Sequence, residues 1–255
     1  MTRWVVGLIL LCLAGCAPAP PFPDMEPGES GRVVRVIDGD ALVLDTGQTV
    51  RLVSIEAPAM YLRSGGPAPH AGESTRLLED LALGRRVRLF YPGITRDRYD
   101  RALAHVMTVD GTGSTLWLNH EMVARGGAWV RLYPSTAQGG RDLLEVEAIA
   151  RAERLGLWAL PQYRLVEAAG LSETTQGFRI VSGTLGERLA IDPGQRYAPA
   201  CRRALEGAAL TLSVRRAAAS TCGLASGRAV TLRGYVSDGI LDLSHPWHLE
   251  LRAAD

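Results

Sequence analysis

The sequence predicts a mainly β protein with helices: a five-stranded barrel of the OB type, decorated by helices, followed by a smaller β-rich domain. Three observations predict it. Short β-rich runs recur between turn signals, a helix-periodic stretch falls between the third and fourth of them, and past Pro161 the texture changes and a fresh series of strand candidates begins.

Taken in order, residues 33–36, 41–44 and 50–55 are apolar runs separated by Asp-Gly and Thr-Gly-Gln turns, which reads as three consecutive antiparallel strands. After a Gly/Pro-rich loop, HAGESTRLLEDLALG places Leu77, Leu78, Leu81 and Leu83 at helical spacing, with Gly84 marking the end. Two further strands, 86–91 and 103–109, flank the charged loop ITRDRYDR. Helices follow near 115–125 and 141–154, and Gly156-Leu157-Trp158 closes the segment. Three strands, a helix and two strands is the order of a small OB-type barrel, although the same signals leave an SH3-like barrel open. Beyond a linker running to about residue 176, strands are expected at 178–185, 210–215, 229–236, 240–243 and 247–251. The turns Ser237-Asp238-Gly239 and His245-Pro246 make the tail a hairpin ending in an edge strand.

The chain of 255 residues carries a net charge of +1, so nucleic-acid binding, if present, must rest on a local patch rather than on overall charge. All 28 basic residues are arginine, which is better read as genome composition than as function, although arginine does grip phosphate with a planar fork. Residues 4–13 form an apolar run behind Arg3, too short to span a bilayer, and it reads as an export signal. Its end, Leu13-Ala14-Gly15-Cys16, resembles the lipobox of bacterial lipoproteins. That implies processing at residue 16, lipidation of Cys16 and a membrane anchor made of acyl chains. Ala17 after the cysteine favours the periplasmic face of an outer membrane. Residues 17–30 are Pro-rich and predict an extended tether. The expected organisation is therefore a signal peptide (1–16), a tether (17–30), a barrel domain (31–161) and a β-rich domain (162–255). With Cys12 removed and Cys16 acylated, Cys201 and Cys222 remain as the natural disulfide of an exported protein, contributing roughly 3 kcal/mol in the chain-entropy model.

The chemistry concentrates in RVVRVIDGDALVLDTGQTVRLVSIEAP, residues 32–58. Asp38 and Asp40 flank a glycine, and Arg51 and Glu56 bracket the next run. Carboxylates that can hold a divalent cation beside a guanidinium suit phosphodiester chemistry. Asp38 is better read as the cap of its Asp-Gly turn. The motifs RVIDGDALVL, RLVSIEAP, RDRYDRALAHV and GLW, in that order over residues 32–158, resemble the staphylococcal nuclease-like (thermonuclease) family. That resemblance implies a Ca2+ ion held by Asp40, Glu56 and the carbonyl of Ala57, with Arg51 and Arg101 as catalytic arginines. It also implies nucleotide contacts from Arg98 and Tyr99, and Tyr133 offers a stacking face to a base. Glu56 stands where the family usually has aspartate, a change that calcium tolerates. Ala59 stands where active members carry a glutamate that prepares the attacking water, and alanine cannot do this. Glu73 is a candidate replacement, though a first-turn acid on a helix is its plainer reading. The expected function is Ca2+-dependent hydrolysis of DNA or RNA, preferably single-stranded or unpaired. The alternative is a degenerate lipoprotein that binds nucleic acid, another anionic ligand or an envelope protein.

Overall fold

The computed structural model describes residues 24–62, 65–109, 115–191, 194 and 198–252. The expected signal peptide and Cys16 lie outside the described residues. The first unit comprises β1 (Glu26–Asp38), β2 (Ala41–Leu44), β3 (Thr49–Leu52), β4 (Ile55–Glu56), α1 (Ala71–Ala82), β5 (Arg86–Tyr91), β6 (Ala102–Thr108), α2 (Leu118–Ala124), β7 (Trp129–Val130) and α3 (Gly140–Ala152). Five of these strands close a barrel in the order β1-β2-β3-β6-β5, in which β3 and β6 run parallel and the other neighbours antiparallel. Leu42, Leu44, Val50, Leu52, Leu89 and Val106 fill it. The helix α1 presents Leu78, Leu81 and Ala82 to that core. Leu83, expected on the same stripe, lies past the last turn and is exposed, because the chain leaves helical geometry there to reach Gly84 at φ 76°.

Two sequence expectations change here. The strand expected over 50–55 breaks after Leu52, since Ser54 takes a positive φ of 62° and gives its hydroxyl to the Thr136 carbonyl at 2.6 Å. The chain resumes as β4, which pairs with β7 away from the barrel. The tether expected over 17–30 ends earlier, because residues 26–30 belong to β1 and pair with β5. Met25 anchors this start by packing with Phe90 and Met107, and Arg96 ties Glu29 to the barrel at 2.6 Å.

The second unit comprises β8 (Leu165–Glu167), β9 (Gly177–Leu189), β10 (Cys201–Leu205), β11 (Thr211–Val214), β12 (Ala229–Ser237), β13 (Ile240–Leu243) and β14 (Leu249–Leu251). The expected linker is thus part of the structure, as β8 pairs with β9 in parallel, and β10 is a strand with no counterpart in the sequence reading. The ring β9-β10-β11-β13-β12 closes through β12 and β9, with β11 and β13 parallel. That is the pairing scheme of the first barrel repeated, so the chain carries two OB-type barrels in tandem. The tail forms the β12–β13 hairpin, and β14 lies at the sheet edge on β12 as expected. Cys201 and Cys222 are disulfide-bonded, tying β10 to the turn that precedes β12.

The barrels meet over a continuous apolar seam. Trp129 stacks on Phe178 with ring centroids 4.7 Å apart, and Leu157, Trp158, Tyr163 and Ile180 complete the cluster. A buried ion pair joins Arg233 of β12 to Glu147 of α3 at 2.5 Å. Glu147 also accepts the Val130 N–H at 2.7 Å, and His248 Nε2 accepts the Leu132 N–H at 3.0 Å. Apolar burial supplies the attraction, and these polar links fix the register between barrels.

Candidate active site

Asp40 sits at the entry to β2, opposite the β3 strand that carries Arg51. The Asp38 side chain accepts the Asp40 N–H at 3.1 Å, which is the turn-capping role expected of it. Asp40 is 6% exposed, so its carboxylate must find partners within the protein. One oxygen meets Arg51 Nη1 at 2.9 Å and the other accepts the Ala57 N–H at 2.6 Å. Burial pushes its pKa up to about 7, against the lowering effect of Arg51, and Asp38 adds to the rise. Arg51 Nη1 also donates to the Leu52 carbonyl at 2.9 Å and reaches the Ile55 carbonyl at 3.3 Å, which holds the guanidinium across the broken end of β3.

Arg101 arrives from the other side. Asp97 accepts the main-chain N–H groups of Tyr99 and Arg101 at 2.9 and 3.0 Å, folding ITRDRYDR into a tight loop. The same carboxylate then clamps the Arg101 guanidinium, with Nε and Nη2 both at 2.7 Å. Tyr99 is 64% exposed, with the Arg98 and Arg101 guanidinia 4.7 and 5.7 Å from its ring, so this loop offers an aromatic face amid positive charge. Arg51, Glu56, Arg101 and Tyr133 line one cleft of about 340 Å³. Four residues separated by up to 82 positions are brought together by the β4–β7 excursion and the β6 entry.

The sequence reading missed two residues of this cleft region, Arg131 and Tyr235. Arg131 Nη1 contacts Glu56 Oε2 at 2.5 Å, and the Tyr235 hydroxyl donates to Oε1 at 2.8 Å. The Arg131 guanidinium lies 4.4 Å from the Tyr235 ring and 5.1 Å from that of Tyr133. Burial together with Glu56 holds the Tyr235 hydroxyl far above its ordinary pKa, so it remains a proton donor. Arg131 had a legible signal, a lone charge inside the apolar run AWVRLY; Tyr235 had none, since it comes from the other barrel.

Asp40, Glu56 and the Ala57 main chain fit a hard divalent cation in donor chemistry, being oxygen ligands of which two are ionisable carboxylates. Among the described residues no group of three or more His, Cys, Asp or Glu clusters to hold a metal, so phosphate or water oxygens would have to complete the coordination. Ala59 is exposed and brings no proton acceptor. Glu73 pairs with Arg76 at 3.2 Å on the exposed face of α1, the surface role that its helix position implied.

Residues 49–160 match the family described as staphylococcal nuclease homologue. The matched segment includes Arg51, Glu56, Arg101 and Tyr133, while Asp40 lies nine positions before its start. An uncharacterized endonuclease of Escherichia coli is 36% identical over 132 residues, which is 51% of this chain and 76% of that protein. A micrococcal nuclease of Shigella flexneri is 36% identical over 141 residues, 51% of this chain and 74% of its own. A thermonuclease of Staphylococcus intermedius is 26% identical over 157 residues, 60% of this chain and 90% of its own. With the closed barrel, the two arginines over one cleft and these relatives in agreement, the chain belongs to the staphylococcal nuclease family.

Proposed function

We propose that this protein is a Ca2+-dependent phosphodiesterase that cleaves DNA or RNA, favouring single-stranded or unpaired segments. The observation that carries the reading is the convergence of Arg51 and Arg101 on one cleft with Glu56, beside the buried Asp40. Each guanidinium is pre-oriented by a carboxylate, Arg51 by Asp40 and Arg101 by Asp97, so neither must be ordered when phosphate enters. The forked donors hold non-bridging phosphoryl oxygens and stabilise the charge that builds on them as water adds to phosphorus. Asp40, Glu56 and the Ala57 carbonyl are the residues that would hold calcium. When bound there, the cation supplies a polarised phosphoryl oxygen and a more acidic water. Tyr133 lines the cleft, whereas Tyr99 lines a separate depression beside Gly47 and Gln48 and Arg98 is exposed next to it; the exposed rings at both places can stack on unpaired bases. Because Ala59 offers no base, turnover is expected to be low by about 10²- to 10⁴-fold relative to a site with a positioned carboxylate.

A second reading, a protein that binds nucleic acid or another anion without cutting it, is favoured by Ala59 together with the engagement of Glu56 by Arg131 and Tyr235. One experiment separates the two. Single-stranded DNA and RNA are incubated with the protein in calcium or in excess chelator, beside an Arg51→Ala Arg101→Ala variant. Calcium-dependent cleavage lost in the variant supports the phosphodiesterase, and absence of cleavage at high protein concentration with retained oligonucleotide affinity supports the binder. Export and lipid attachment at Cys16 complete the proposal, placing the protein in the bacterial cell envelope. Cys16→Ser should release it to the soluble fraction, and continued membrane retention would overturn that part.

A further inference from the structure

Glu56 is joined to the second barrel by a closed circuit of contacts. It pairs with Trp129 across β4 and β7, and Trp129 stacks on Phe178. Phe178 pairs with Tyr235 across β9 and β12, and the Tyr235 hydroxyl returns to Glu56 Oε1 at 2.8 Å. The other oxygen, Oε2, takes Arg131. Both Glu56 oxygens therefore already have a donor, one of them a full positive charge. The packed seam of Trp129 and Phe178 backs the Tyr235 ring, whose centroid lies 6.2 Å from that of Phe178. The Arg131 guanidinium rests between the Tyr235 and Tyr133 rings, in the cleft that Arg51 and Arg101 also line.

We infer that Arg131 serves as a resident counter-ion for Glu56, which a divalent cation displaces, and that Tyr235 of the second barrel is the positioning residue for both groups. This rests on the assignment of Glu56 as a cation ligand in the proposed function. Displacement leaves Arg131 stacked between the two rings and beside Arg51 and Arg101, where it becomes a third phosphate-binding guanidinium. Cation and anion then bind with positive coupling, because the cation releases the arginine that the anion uses. The second barrel contributes one side chain to the site and thereby sets its metal affinity.

The test reads binding rather than turnover: calorimetric titration of calcium into wild type, Arg131→Met and Tyr235→Phe, each checked by circular dichroism for an intact fold. Arg131→Met keeps the packing stem and removes the competing charge, so calcium should bind roughly three- to tenfold tighter, the worth of a partly buried ion pair. Tyr235→Phe should shift the calcium affinity in the same direction by less. Titration of a single-stranded decanucleotide with and without calcium should show tightening by calcium in wild type that is reduced in Arg131→Met. Unchanged or weaker calcium binding in Arg131→Met overturns the inference, as does failure of both proteins to bind calcium. If Arg131→Met does not fold, Arg131→Gln replaces it with the same expected direction. Calcium binding that tightens as expected in a protein that never cleaves would uphold the inference while removing the phosphodiesterase reading.

Discussion

Replacing Arg233 by methionine should be among the most damaging single changes outside the two hydrophobic cores. Arg233 and Glu147 pair at 2.5 Å with side-chain exposures of 4% and 0%. Methionine fills most of the volume of the arginine stem, so the loss is chiefly electrostatic. Glu147 keeps the Val130 N–H at 2.7 Å and the charge of Arg151 one turn on along α3, but loses the counter-charge in contact with it. Breaking a buried pair in this way costs about 3 to 5 kcal/mol. For a protein of this size, each kcal/mol lowers the melting temperature by about 2 to 4 °C, so a fall of roughly 6 to 20 °C is expected. Urea unfolding followed by tryptophan fluorescence is the suitable assay, since Trp129 lies in the same seam. Adding Glu147→Gln removes the stranded charge and leaves an amide oxygen for the Val130 N–H, so the double variant should recover much of the loss. A single-variant cost below about 1 kcal/mol, or a double variant no more stable than the single one, would refute the reasoning.

Three further outcomes follow from other sites. His105 and His248 are buried, and burial lowers both pKa values to about 3, while the unfolded value is 6.5. The unfolded chain thus binds more protons between those limits, so stability is full above pH 6.5 and lost as pH falls toward 3. Because His248 Nε2 must accept the Leu132 N–H, protonation there sets two donors against each other. His248→Gln should flatten part of the decline in melting temperature between pH 7 and 4, and an unchanged slope would count against it. Reducing the Cys201–Cys222 bond, which closes a loop with a sequence separation of 21, should cost about 3 kcal/mol and appear as a lower melting temperature in dithiothreitol. Ala59→Glu should raise hydrolysis of single-stranded DNA by about 10²- to 10⁴-fold if the arginines and the cation ligands are in place, and no gain would show that their geometry does not support the reaction.

The first barrel was legible in the chain because its cues are local. Asp-Gly turns, alternating β-branched residues and the leucines of α1 report the conformation of their own neighbours, and β5 was expected over the residues it occupies. Asp40 and Arg51 stood out as charges beside strand ends, whereas Arg101 was marked only by the resemblance of RDRYDRALAHV to the nuclease family. The break at Ser54 was not readable. It depends on a hydroxyl meeting the Thr136 carbonyl from a segment 82 residues away, and no local propensity encodes that partner. The strand β10 was missed because its RRA core, flanked by Cys201 and Leu205, lacks a β-branched run; it is a strand through pairing with β9 and β11. By itself the sequence determined the two-part order and the barrel of the first part, and it named Asp40, Arg51 and Glu56 as candidates for phosphodiester chemistry. Only the tertiary structure decided that the second part repeats the same closed barrel, and that Tyr235 and Arg131 meet on Glu56. Those facts depend on distances between residues as many as 179 positions apart, which are set by the packing of one barrel against the other.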